Sequence, residues 1–385
     1  MRGARRVAIL AIAMLSCAAA STGAPAPGSA ATAAGDAEAP LEAAVIAQIN
    51  EFRASQGLQP FVTSPVLSAF AARHAQDMLA KGYFGHDEPG GQTALERLTA
   101  FYGPQGYDLT NTGENISASV GPGDAAAFVQ DWVADPEHRD ILLGTGRGPL
   151  YTSAGVSVVT ADSAPGVYAG LGQVTVLTAE FGPPQPVYGQ SVLVAPVSGV
   201  VRVKPPGAKT FTTLNATGVF DSGTQVDTTK GRIRLTSVAD ESANVQTADF
   251  YRGQFTVSYT PDFPETTPGG TPSLLTNLQL TGPLTGCRRV AATRRLAGQN
   301  ATPPKRRPKP KGPTTRSLWG DGTGHFRTQG AYASATVRGT YWLTQDTCKG
   351  TRVQVLTGLV DVFNIKGNIH TPVAAGHSLI VPKPK

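Results

Sequence analysis

Apolar side chains recur at helical spacing over roughly the first 145 positions of the chain and at strand spacing beyond them, with Gly and Pro marking most of the changeovers. Leu41, Val45, Ile46, Ile49 and Phe52 make one stripe, on a helix that the pattern starts at Pro40 and stops at Gly57. A second helix has Ser64 as its cap, Pro65 at its first position, a stripe of Leu67, Phe70, Ala71, His74 and Met78, and Gly82 at its end. Thr93 and Glu96 form a capping box before Leu95, Leu98 and Phe101. Asp124 caps a fourth helix that buries Phe128, Val129 and Trp132, and Asp135-Pro136 opens a fifth that ends near Leu143-Gly144. The period then drops to two, over 154–160 and, as one long run, over 167–181. Helices followed by strands predict an α+β layer packing in which the helices cover a sheet.

Phe181-Gly-Pro-Pro-Gln-Pro-Val187 cannot continue a strand, so 183–189 reads as a Pro-rich linker closing a first domain over 40–182. From Gln190 onward no amphipathic helix is visible. Short alternating runs at 192–203, 211–214, 232–235, 255–259, 335–343, 352–363 and 377–381 predict an all-β domain. It divides into 190–260 and 318–385, around a partly disordered insertion at 261–317.

The length of 385 residues suits two domains, and 44 Gly with 30 Pro call for many turns. The formal charge of +6 is concentrated: nine basic residues and no acid lie between Cys287 and Thr315, leaving −3 for the rest of the chain. The core of this tract, Pro303 to Pro313, has nothing to bury and reads as an extended solvated linker. No aromatic residue interleaves with these charges, which speaks against nucleic acid; attraction to anionic lipid or cell-wall polymer is the functional alternative to plain solvation.

Arg2, Arg5 and Arg6, the apolar run Val7 to Leu15 and the small residues from Ala18 have the three-part layout of an export signal, assigned to residues 1–24 with cleavage after Ala20 or Ala24. Residues 25–39 read as a disordered leader. The apolar run falls short of the roughly 20 residues that span a bilayer, so no transmembrane segment is expected after signal removal. Cys17 in Met14-Leu15-Ser16-Cys17 is a degenerate lipobox, an alternative route to lipid anchoring. Cys287 and Cys348 remain as an even pair for one disulfide in an oxidising compartment.

Candidate chemistry lies in three segments: Tyr83-Phe-Gly-His86-Asp87, Gly113-Glu114-Asn115-Ile116, and Trp132-Val-Ala-Asp-Pro-Glu-His138-Arg139-Asp-Ile-Leu142. Together with the strands at 154–158 and 174–181, they resemble the CAP (SCP) superfamily of cysteine-rich secretory proteins, antigen 5 and pathogenesis-related 1 proteins, in its bacterial form. The resemblance implies an α-β-α sandwich in which His86, Glu114 and His138 meet on the floor of a cleft. Two imidazoles and a carboxylate are ligand types for Zn or another divalent cation, with Glu114 as the candidate base of a metal-dependent hydrolase. The bland alternative is that the histidines hydrogen-bond Glu114 and tie loops together.

Asp135 stands where the family often has a second acid, but next to Pro136 its expected task is to cap the fifth helix. His74 reads as a satisfied core histidine, and Asp87 and Glu88 as solvated. No Gly-x-Ser-x-Gly elbow, His-Glu-x-x-His or phosphate-binding glycine loop is present in the sequence.

Val197 to Val201, Gly223 to Thr228, Val337 to Trp342, Thr351 to Val360 and Ala375 to Leu379 make the β domain similar to FecR-like domains, which implies an extracytoplasmic binding role. The combined expectation is a secreted binding protein with a lipid, sterol or cell-wall ligand in a His/Glu-lined cleft, and a β module for envelope or protein contact. The alternative is a divalent-metal-dependent hydrolase using the same cleft.

Overall fold

The computed structural model describes residues 30–107, 112–144, 151–261, 274–284, 286–287, 314–337 and 339–384, with side chains from residue 38 onward. The export signal, Cys17, residues 25–29 of the leader and the basic tract lie outside the described residues.

The amino-terminal part runs α1 (Ala30–Ser55), β1 (Val62–Thr63), α2 (Pro65–Lys81), α3 (Ala94–Tyr102), β2 (Gly113–Val120), α4 (Ala125–Ala134), α5 (Pro136–Leu143), β3 (Ser153–Ala161) and β4 (Val174–Gly182). Local chemistry sets most of these bounds. Ser64 accepts from Leu67 N and Gly82 closes α2 in the left-handed region. Thr93 and Glu96 form the reciprocal capping box. Asp124 caps α4, and Asp135 with Pro136 opens α5.

Two expectations change here. Residues 30–39, expected in a disordered leader, are the first ten residues of α1, so Pro40 lies inside the helix. The reason is tertiary. Strand β3 pairs with β1 only at Ser153 and Ala154, which leaves later N–H groups on an open edge. Side chains satisfy them: Ser68 takes Val156 N (3.2 Å), Glu42 takes Val158 N (2.9 Å) and Glu38 takes Thr160 N (2.8 Å). The run at 167–181 is also not continuous. A 3-10 turn at Gly166–Tyr168 and positive φ at Gly170 and Gly172 delay the strand until Val174.

The sheet order is β1-β3-β4-β2, with β1 parallel to β3 and the other neighbours antiparallel. Alternation gives it two apolar faces. Val156, Val158, Leu177, Ala179 and Phe181 pack under α1, α4 and α5. Ile116, Val174 and Val176 pack under α2 with Met78 and Leu79. Helices therefore cover both faces, with the strands between them.

The carboxy-terminal part is β-rich: β5 (Ser191–Lys204), β6 (Thr212–Thr213), β7 (Gly218–Asp221), β8 (Gln225–Val238), β9 (Val245–Tyr251), β10 (Gln254–Pro261), β11 (Leu274–Leu280), β12 (Thr315–Gly322), β13 (Phe326–Gln329), β14 (Ala333–Val337), β15 (Thr340–Thr347), β16 (Gly350–Thr357), β17 (Leu359–Asn364), β18 (Ile369–Ala374) and β19 (Ser378–Pro382). Neighbours are antiparallel except β11 with β13. The sheet closes over one core, because Phe250 of β9 meets both Phe326 of β13 (5.6 Å) and Trp342 of β15 (5.9 Å). The runs at 335–343 and 352–363 are each two strands. Gly358, at φ +77 and with its Cβ position 2.6 Å from Gly339 O, turns the chain where a continuous strand was expected. Within the expected insertion at 261–317, β11 is an interior strand paired with β10 and β13.

The two parts share a core. Val66, Leu67, Phe70, Phe101 and Tyr102 pack with Val238 and Ala243, and Thr217 Oγ1 donates to Gly106 O (3.0 Å). The Pro-rich segment 183–189 is held as well: Tyr107 donates to Pro184 O, and Tyr188 Oη accepts from Leu274 N (3.1 Å). Cys287 and Cys348 form a disulfide, with Cα atoms 5.2 Å apart across 61 positions of sequence.

Candidate functional site

Gly113-Glu114-Asn115 opens β2, and each residue has a different physical task. A Cβ at Gly113 would lie 2.9 Å from Ile141 Cγ2, so only glycine lets α5 come this close. Asn115 points to the same face and donates from Nδ2 to His138 O (3.2 Å). Glu114, between them, points to the opposite face, under α2.

There its side chain, 5% exposed, takes three partners. His74 Nδ1 of α2 lies 2.8 Å from Oε2, His86 Nδ1 lies 2.7 Å from Oε1, and Arg97 Nη2 of α3 lies 2.7 Å from Oε2. An ionised carboxylate only accepts, so both imidazoles present Nδ1–H to it. Arg97 Nη1 also donates to His86 O (2.9 Å), holding the loop that carries the imidazole. Burial raises the Glu114 pKa, but hydrogen bonds from the His74 and His86 rings work against it, and the carboxyl is held well below its ordinary value.

Glu180 is the cross-strand partner of Glu114 and is fully buried. Burial and the Glu114 charge push its carboxyl well above the ordinary glutamate value. Two carboxylates opposed in a dry layer with one guanidinium cannot both ionise; the geometry gives an anionic Glu114 and a protonated Glu180.

Of the expected trio, the structure joins His86 to Glu114 and leaves His138 out. The His138 ring bonds Asp135 Oδ1 (3.1 Å), and α5 is fastened to the Asn115 side of β2, away from the Glu114 carboxylate. Asp135 caps α5 as expected, accepting from Glu137 N (2.9 Å) and His138 N (3.2 Å), and does not join the Glu114 cluster. Asp87 and Glu88 are not merely solvated: Asp87 accepts from Ala94 N (2.7 Å), and Glu88 pairs with Lys81 (2.6 Å).

The residues do not fit the expected divalent-metal site. Among the described residues no three His, Cys, Asp or Glu side chains are grouped to hold an ion. Glu114 Oε1 is committed to His86 Nδ1, and Oε2 to His74 Nδ1 and the Arg97 cation.

His74, Arg97 and Glu180 were missed as site residues. His74 on an apolar stripe gives no hint of its partner. Glu180 was detectable as a lone acid inside the apolar run Val174 to Phe181, and a buried acid implies a nearby cation such as Arg97.

The CAP family model, described as the cysteine-rich secretory protein family, matches residues 46–171. The uncharacterized protein YkwD of Bacillus subtilis is 30% identical over 122 residues, which take in 32% of this chain and 44% of that protein. Among solved structures, an extracellular protein containing an SCP domain from Bacillus anthracis is similar at 24% identity and a TM-score of 0.31, over 42% of this chain and 45% of that one. An outer surface protein of Borrelia burgdorferi is similar at 16% identity and a TM-score of 0.28, over 38% of this chain and 94% of that one. The chain thus spans less than half the length of YkwD and of the Bacillus anthracis protein. Its amino-terminal part carries a CAP (SCP) domain, joined to a large β-rich region.

Proposed function

We propose that the protein is an exported, non-catalytic binding protein whose CAP domain takes a lipid or cell-envelope ligand beside His86. The β-rich region, FecR-like in its sequence pattern, contacts the envelope or a protein partner in this reading. The observation that carries it is the engagement of Glu114. A general base needs a lone pair facing substrate, whereas Oε2 here accepts from His74 and Arg97, and Oε1 accepts from His86, all inside the fold. His86, with its side chain 38% exposed, is the member of the cluster that a ligand can reach.

Co-sedimentation of the purified protein with phosphatidylglycerol vesicles and, separately, with insoluble cell-wall polymer tests this reading. Retention on either that His86→Ala lowers supports it, and no retention on both overturns it. Metal analysis of the same preparations separates the hydrolase alternative. One divalent ion per chain, lost in a His86→Ala/His138→Ala variant, would move the assignment to that class.

A further inference from the structure

A cleft among the described residues lies outside the Glu114 cluster, between the turn that follows α3 and the outer face of the β-rich region. Its volume of about 530 Å³ falls within the roughly 300–1,000 Å³ of small-molecule sites. Gly103 and Pro104 form one wall, and Arg232, Arg234, Asp249 and Asp321 supply the charges of the other.

This wall is built to hold two guanidinium groups still. Asp249, 6% exposed, accepts from Arg232 Nε (2.8 Å) on one oxygen and from Arg234 Nε (2.9 Å) on the other. Arg232 is also fixed from its other side, with Cζ 5.0 Å from the centre of the Tyr251 ring. Tyr251 lies parallel to Trp319, and Tyr251 and Tyr341 join their hydroxyls at 2.6 Å. With Nε spent, the forks must act through their Nη atoms. Arg232 Nη2 meets Asp321 Oδ2 at 3.2 Å, and the Arg234 Nη atoms have no partner among the described residues.

We propose that this cleft binds a saccharide unit carrying one carboxylate. The planar Nη pair of Arg234 matches a carboxylate in two parallel hydrogen bonds. Asp321, with Thr247 and Thr323, offers the acceptors and donors that adjacent sugar hydroxyls require, and Pro104 with Ala248 gives apolar contact for C–H faces. The charge balance limits the ligand. Two arginines and two aspartates sum to zero, so the cleft offers the Arg234 Nη pair to one carboxylate and no excess positive charge to a polyanion.

Isothermal titration of the full chain with glucuronic acid, glucose and inorganic phosphate tests this. The expected result is saturable binding of glucuronic acid, tighter than glucose or phosphate and weakened about tenfold or more by Arg234→Met. His86→Ala leaves that binding unchanged, which separates this site from the ligand site of the CAP domain. Asp321→Asn changes a 48% exposed side chain and decides the matter should Arg234→Met not fold; it too is expected to lower affinity. Absence of saturable glucuronic acid binding, phosphate binding as tight as the sugar acid, or an affinity unchanged in both variants overturns the proposal.

Discussion

Arg97 holds Glu114 and the His86 loop with one guanidinium: Nη2 lies 2.7 Å from Glu114 Oε2, and Nη1 donates to His86 O at 2.9 Å. Three elements distant in sequence, α3, β2 and the loop after α2, thus meet at one cation in a nearly dry layer. That relationship governs how the domain responds to substitution and to pH.

Arg97→Met removes the cation and leaves a carboxylate buried with two imidazoles. Breaking a buried pair from one side costs about 3–5 kcal/mol, so urea unfolding should show a loss of that order. Arg97→Lys should recover only part of it, because a single ammonium cannot hold both the carboxylate and the His86 carbonyl in the fork geometry.

Glu114 and Glu180 give stability slopes of opposite sign. The Glu114 carboxyl is held low in the fold, so its contribution is present above the ordinary value and is lost as pH falls through the depressed one. Glu180 is raised, so its contribution is full below the ordinary value of 4.5 and is lost as pH rises through the folded one. Glu180→Gln replaces the protonated acid with a neutral amide. Its stability relative to the parent should therefore improve between pH 5 and pH 8, measured by urea midpoints at both.

Gly155 of β3 lies directly beneath α2, and a Cβ there would sit 2.1 Å from Ser68 N. Gly155→Ala must lift the helix that carries His74. A loss of about 1–3 kcal/mol is expected, together with altered amide signals for His74 and Glu114.

The Cys287–Cys348 disulfide closes a loop across 61 positions of sequence. Cys287→Ser/Cys348→Ser should destabilise the β-rich region by about 4 kcal/mol in the chain-entropy model. Thermal unfolding with and without reductant measures this, and reductant should leave the variant unaffected.

Asp135→Ala deletes the cap of α5 and the partner of the His138 ring. A cost of about 0.5–2 kcal/mol is expected, with no change in His86-dependent ligand retention. A loss of that retention would place Asp135 and His138 in the same functional unit as Glu114.

Helix caps in the amino-terminal part were legible because the signals act within a few residues: Ser64 with Pro65, Thr93 with Glu96, Asp124, and Asp135 with Pro136 all occupy the expected positions. The β character of the chain beyond Gln190 was legible too, from the alternation of apolar positions. Strand count was not, since 335–343 and 352–363 each hide a turn, and β11 lies where only an insertion was visible.

Residue order by itself thus determined the starts of α2, α3, α4 and α5, the change of period and the cysteine pair, all of which depend on near neighbours or on simple count. Only the tertiary structure decided that Glu114 faces His74, Arg97 and Glu180 while Asn115 takes α5, and that residues before Pro40 fold onto the β3 edge. The physical reason is register. Side chains alternate across a strand, so a slip of one residue would send Glu114 to the other face, and that choice is made by packing summed over the whole sheet.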